Sequence, residues 1–253
     1  MSKLIKLLII INGLLIPIII GIILFQLIKD IIPNRNYNEG IIINEKFENA
    51  KKDSLALQGI TYNSPEEIYN STNYILPISV TTYDEAKDLR QTYYMRQDMN
   101  QSFFHVMNVI FLDKNYQVIN TLLDNKASIS RIETPGSYRQ TKEVDTTVNN
   151  IAYLIGFDDT NNDGKLNFSD NHDLYITDLD GKNLVKVTTD IDIASFEFVD
   201  SNSQILIKYK ERSNIKNEYK KTKFGIFDIE TSKFKRLSDL DKTINNIEKL
   251  LIK

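Results

Sequence analysis

Three short stretches constrain the fold more than anything else in the chain. Val109-Ile-Phe-Leu-Asp113, Leu174-Tyr-Ile-Thr-Asp178 and Phe224-Gly-Ile-Phe-Asp228 are each an apolar run of strand character that ends in Asp. A polar turn follows each one (KNYQ, LDGKN and IETSK), and a second apolar run follows the turn (VINTLL, LVKVT and FKRLS). Each unit reads as a β-hairpin. In the last two, the first apolar residue of the returning strand, Leu184 or Phe234, stands six places after the Asp, which sets both hairpins in one register. Asp180-Gly181 supplies the positive-φ position that such a turn needs. Further strands are expected at Ile151 to Phe157, Ala194 to Val199 and Ile205 to Tyr209, with Asp200, Ser201 and Asn202 turning the chain between the last two.

Strand, turn, strand, loop, strand, hairpin, strand is the order of a four-stranded propeller blade. On the stretch DLYITDLDGKNLVKVT (Asp173 to Thr188) the sequence resembles the WD40-like repeats of the TolB-type β-propeller family, over roughly 108–238. The resemblance implies one blade from Ala194 to Ser238 and most of another from Ile151 to Thr188. A closed propeller has at least about four blades, and about two and a half can be traced. The expected fold is therefore mainly β: an N-terminal transmembrane helix, then an antiparallel β-meander or partial propeller, then a C-terminal helix. That helix is read from Leu240 to Ile252, where apolar residues fall at 240, 244, 247, 250 and 251, and it is expected to cover an edge of an open sheet.

Leu7 to Ile28 contains no charged residue, and about 20 apolar residues suffice to cross a bilayer core. Lys3 and Lys6 precede the run while Lys29 and Asp30 balance after it, so the N-terminus is expected in the cytoplasm and the remainder outside, in the periplasm if the cell is Gram-negative. A cleaved signal peptide is the competing reading; the run is longer than a usual signal core and no A-x-A site follows it. The organisation expected is a cytoplasmic tip and anchor over 1–33, a polar stalk over 34–73, and an extracytoplasmic β-rich domain over 74–253. Helical patches are expected at 45–57 and 84–98, the second with Thr82 and Glu85 at capping-box spacing.

Composition removes several function classes. The 253 residues carry a formal charge of -3, without the basic field that nucleic acid requires. No cysteine is present, so thiolate catalysis, Cys-based zinc sites, disulfides and a lipoprotein anchor are excluded.

The stretch DDTNNDGKLNFSD (Asp158 to Asp170) carries the one motif with a chemistry. Counting Asp159 as position 1 places Asn161 at 3, Asp163 at 5, Gly164 at 6, Lys165 at 7, Asn167 at 9 and Asp170 at 12. Calcium takes about six to eight oxygens, alternate residues supply them, and glycine at position 6 permits the sharp turn. Lys165 would offer its backbone carbonyl, Asn167 a water-mediated contact, and Asp170 a closing carboxylate shorter than the usual Glu. The segment resembles EF-hand-like calcium loops of the dockerin kind, which implies a Ca2+ site at Asp159, Asn161, Asp163, Lys165, Asn167 and Asp170. A strand, not a helix, precedes it, so the expected role is structural rather than that of a sensor, which needs a helix pair to open.

His105, in the apolar run FFHVMNVIF, is expected to be packed, and His172 exposed; neither has the neighbours of a catalytic triad. The carboxylates Asp158, Asp159, Asp163, Asp170 and Asp173 could in principle serve glycoside hydrolysis, but their spacing fits metal coordination better. Lys208 to Lys223 is expected to be a solvated basic loop, able as a hypothesis to meet an acidic surface or lipid headgroups. No catalytic motif is found. The function expected is a non-enzymatic, membrane-anchored docking module with a structural calcium loop and an unidentified protein or glycan partner. A non-catalytic subunit of a larger envelope assembly is the alternative, and a carbohydrate-acting hydrolase the weaker one.

Overall fold

The computed structural model describes Leu15 and residues 40–43, 58–82, 105–135, 147–212 and 221–251. The chain divides into two compact units, Met1–Tyr37 and Asn38–Lys253, and the strands belong to the second. Strand β1 (Ile41–Ile42) comes first. Next, β2 (Gln58–Tyr62), β3 (Glu66–Glu67), β4 (Tyr74–Thr82), β5 (Val106–Leu112) and β6 (Val118–Thr121) form a first antiparallel meander. In it β2 and β3 both pair with β4, β4 with β5, and β5 with β6. The second meander runs β7 (Ser128–Glu133), β8 (Asn150–Gly156), β10 (Asp173–Asp178) and β11 (Val185–Lys186), while the intervening β9 (Lys165–Leu166) pairs with β1. The third is β12 (Ile191–Val199), β13 (Gln204–Glu211), β14 (Lys223–Asp228) and β15 (Lys233–Arg236), hydrogen-bonded in chain order. Helix α1 (Ser238–Glu248) and a 3-10 turn (Lys249–Leu251) close the described chain.

The mainly β, antiparallel fold with a short C-terminal helix is the one expected. The register expected of the hairpins is also present. Phe111 pairs with Asn120, Ile176 with Val185 and Ile226 with Lys235, in each case a residue two places before the turn Asp paired nine places on. The role of the aspartates follows from their bonds: Asp113 Oδ1 accepts the Asn115 and Gln117 N–H groups at 2.8 and 2.9 Å, and Asp228 Oδ1 accepts Thr231 N–H at 2.8 Å. Each ties up turn amides that would otherwise lack partners.

First and second meanders join in one sheet through a single β5–β7 pair, Val106 with Ile129. Their faces hold a shared core in which Ile75, Val109 and Phe111 meet Ile129, Ile151, Tyr153 and Ile155. A second core joins the second meander to the third, through Ala152, Leu174 and Ile176 on one side and Phe196, Ile205, Ile207 and Tyr209 on the other. Strand β8 serves both. Ile151, Tyr153 and Ile155 face the first core and Ala152 the second, as the two-residue period of a strand buried on both faces requires. Inside the first core the Tyr153 hydroxyl meets Thr177 Oγ1 at 3.0 Å, which satisfies a polar group that burial would otherwise penalise.

Three features depart from what the sequence leads one to expect. Strands β1, β2 and β3 fall within 34–73, so the segment expected as a stalk contributes to the sheets. Helix α1 packs on β14 but buries none of its residues; Asp239, Asp241, Lys242, Asn245 and Asn246 leave it too narrow an apolar stripe to seal an edge. The basic stretch 208–223 is not a loop throughout: Lys208–Glu211 lie in β13, Lys223 begins β14, and Arg212 is bound in an ion-pair network. Among the described residues no helix is long and apolar enough to cross a membrane. The apolar run 7–28, apart from Leu15, the helical patches 45–57 and 84–98, and residues 213–220 lie outside the described residues.

Candidate metal centre

The acidic loop joins β8 to β10, and its side chains fold back on its own amides. Asp159 accepts Asp163 N–H on Oδ1 at 3.2 Å and Gly164 N–H on Oδ2 at 2.8 Å. Asn161 Oδ1 accepts the same Asp163 N–H at 2.9 Å, and Asp163 Oδ1 accepts Lys165 N–H at 2.9 Å. Asp159 and Asn161 therefore present oxygens to one nitrogen and lie on one side of the loop. Such turns are what Asp and Asn side chains form with the amide two residues on. Gly164, at φ 78°, takes the left-handed conformation that position 6 demands.

Lys165 is oriented by its strand. Ile43 N–H donates to the Gly164 carbonyl at 3.1 Å, so the neighbouring residue Lys165 turns both its N–H and its carbonyl away from β1. Its N–H meets Asp163, and the carbonyl shares that inward side. Asp170, buried, closes the loop by accepting Thr160 N–H at 2.8 Å on Oδ1 and Asn167 N–H at 2.8 Å on Oδ2. Asn167 is fully buried, and its Oδ1 accepts Ser169 N–H at 2.7 Å. Asn161 and Asp163 are exposed and Asp159 half-buried.

The structure thus brings together the side-chain oxygens of Asp159, Asn161 and Asp163 beside the Lys165 carbonyl. The side chains of Asp159, Asn161, Asp163, Asn167 and Asp170 all accept backbone N–H groups, Asp159 and Asp170 with both carboxylate oxygens. Among the described residues no three His, Asp or Glu side chains gather as a metal cluster. The donor set is nonetheless all oxygen, which fits a hard cation in kind and in order.

The loop's surroundings correct one expectation and meet another. His172 is half-buried, not exposed. Its Nδ1 lies 2.9 Å from the Asp170 carbonyl and its Nε2 3.2 Å from Ser128 Oγ. A carbonyl can only accept, so Nδ1–H donates and Nε2 accepts from the hydroxyl. Burial holds the His172 pKa below the usual range, against the opposing pull of Asp170. His105 is packed, as expected, and stacks on Phe168 at 5.1 Å. Asp173 is engaged by Lys186 Nζ at 2.7 Å and by Arg212 at 3.2 Å.

Sequence reasoning missed the residues on the far side of the loop. Ile41 and Ile42 pair with β9, and Gln58 holds Gly40 and Ile42 from the opposite edge. The apolar triplet Ile41-Ile42-Ile43 inside an otherwise polar stretch was the available signal. The chain matches no protein-family model, and a search of curated proteins finds no match.

Proposed function

We propose that the chain is a membrane-anchored, extracytoplasmic β module that docks a partner and carries a structural calcium site in the 159–170 loop. The observation that carries the calcium reading is the array of Asp159, Asn161 and Asp163 oxygens turned to one side beside an inward carbonyl. Asp159, Asn161, Asp163 and the Lys165 carbonyl would hold the ion directly, with Asp170 turning one oxygen inward and Asn167 acting through water. The ion would supply charge neutralisation and rigidity to the β8–β10 connection. Calorimetric titration of the full chain with CaCl2 tests it: heat of binding in the wild type that is lost in Asp163→Ala supports the site, and no heat in either protein removes it.

The anchoring reading is supported by the charge-free run 7–28 with Lys3 and Lys6 before it. Three successive antiparallel meanders, with one core shared by the first and second and another by the second and third, support a blade-like stack of the TolB type, open rather than closed. The subunit reading is favoured by one observation. Strand β2 has β4 as its partner on one edge and ends the sheet on the other among the described residues, with Ile60 and Tyr62 exposed there, and an open strand edge is a template for pairing with another chain. The particle mass in detergent separates the two, a monomer fitting the docking module and an obligate oligomer the subunit.

A further inference from the structure

Strand β1 is two residues long, yet it is held on both edges. Ile41 pairs with Leu166 and Ile42 with Lys165, and Ile43 N–H donates to the Gly164 carbonyl. On the opposite edge the Gln58 side chain accepts from Ile42 N–H at 2.9 Å and donates to the Gly40 carbonyl at 2.8 Å. Ile41, Val80 and Leu166 form a small apolar cluster with Met107 packed against it. Gly40 completes the contact. A Cβ there would lie 2.3 Å from the Leu166 carbonyl oxygen and 2.4 Å from Asn167 Cβ, so nothing larger than glycine fits so close to the loop backbone.

Loop positions 6 to 9 are therefore the seat of segment 40–43. The same residues are positioned by the acidic side chains: Asp159 accepts Gly164 N–H, and Asp163 accepts Lys165 N–H, the other end of the peptide unit whose Gly164 carbonyl holds Ile43. We infer that the loop is a cation-set clamp on residues 40–43, so that ion binding and docking of β1 are one coupled equilibrium; this rests on the calcium reading above. Without the ion, the neighbouring carboxylates of Asp159 and Asp163 repel, and the turn that presents Gly164 and Leu166 relaxes. A two-residue strand makes few ladder bonds, so its docking depends on the shape of its seat. With the ion bound, the seat is rigid and β1 stays. Coupling is reciprocal, so docking of β1 tightens ion binding by the same factor.

The test is amide hydrogen exchange by mass spectrometry on the full chain in CaCl2 and in EGTA, alongside calcium calorimetry. It is run for the wild type, Asp163→Ala, Gly40→Ala and Ile43→Pro; the last removes the N–H bound to Gly164 while leaving every loop residue intact. Calcium is expected to slow exchange over 40–43 by about fivefold or more, a protection lost in Asp163→Ala. Gly40→Ala and Ile43→Pro are expected to exchange rapidly in both conditions and to bind calcium about fivefold or more weakly. Calcium heat with unchanged exchange over 40–43, or wild-type affinity in both β1 variants, overturns the clamp and leaves the calcium site standing. Absence of calcium heat in the wild type overturns the site and the clamp together.

Discussion

The contact between the first two meanders can be tested at one residue. Gly181, in the β10–β11 turn, has φ 76°, and a Cβ there would fall 2.1 to 2.5 Å from three carbons of the Phe111 ring. Carbon atoms in contact normally sit about 3.5–4.0 Å apart. Phe111 is fully buried in the first core and cannot swing into solvent, and Asn120 Nδ2 holds the Gly181 carbonyl at 2.7 Å. Gly181→Ala therefore meets two costs: about 1 kcal/mol for a left-handed backbone with a side chain, and about 1–3 kcal/mol for overpacking. The sum, about 2–4 kcal/mol, lowers Tm by roughly 5–15 °C in a domain of this size. Gly59→Ala in β2 is the control, since no heavy atom lies within 4 Å of the place its new methyl group would take, and it is expected to change stability by less than about 0.5 kcal/mol. Thermal unfolding followed by far-ultraviolet circular dichroism reads both. Phe111→Leu should recover part of the loss in the Gly181→Ala background, a coupling that a double-mutant cycle measures. Equal Tm values for the two alanine variants, or strictly additive effects with Phe111→Leu, would refute the contact.

Arg212 donates to Asp192 Oδ1 at 3.1 Å, Asp173 Oδ1 at 3.2 Å and the carbonyls of His172 and Ile191. Arg212→Ala is expected to destabilise by about 2 kcal/mol, moderated because Lys186 remains on Asp173 and Asp192 can hydrate; urea unfolding checks it, and a loss under about 0.5 kcal/mol contradicts it. Glu133 is pushed up to about 7 by burial, which outweighs the Arg131 guanidinium 3.1 Å away. Its folded pKa is raised, so its contribution is complete below pH about 4.5 and is lost as pH rises through about 7. Relative to Glu133→Gln, the wild type should lose about 1–3 kcal/mol between those values, and a pH-independent difference between the two rules this out.

The β-hairpins were legible because their information is local. Asp113, Asp178 and Asp228 mark turns through bonds to amides two to four residues on, and period-2 alternation in Ile205, Ile207 and Tyr209 marks a buried face. What the sequence hid depends on distance along the chain. The β1–β9 pair joins residue 41 to residue 166, and two residues cannot establish a period. Arg212 looked like part of a solvated basic stretch because its acidic partners lie 20 and 39 positions away. His172 looked exposed in a polar run, yet Gly156 leaves room for its ring, where a Cβ would come within 3.3 Å of it. The polar turn itself was legible from its Asp, Asn and Gly residues, whereas the turning of Asp170 toward Thr160 and Asn167 follows from the closed backbone around it.

If the 159–170 loop is a calcium site that stabilises the fold, thermal unfolding of the full chain in calcium and in chelator tests it most directly. A ligand at about 100 times its dissociation constant stabilises by about 2.7 kcal/mol, which is about 5–10 °C in Tm for a domain of this size. The expected result is that shift in the wild type and its loss in Asp163→Ala; identical Tm values in calcium and chelator for the wild type would contradict a stabilising calcium site.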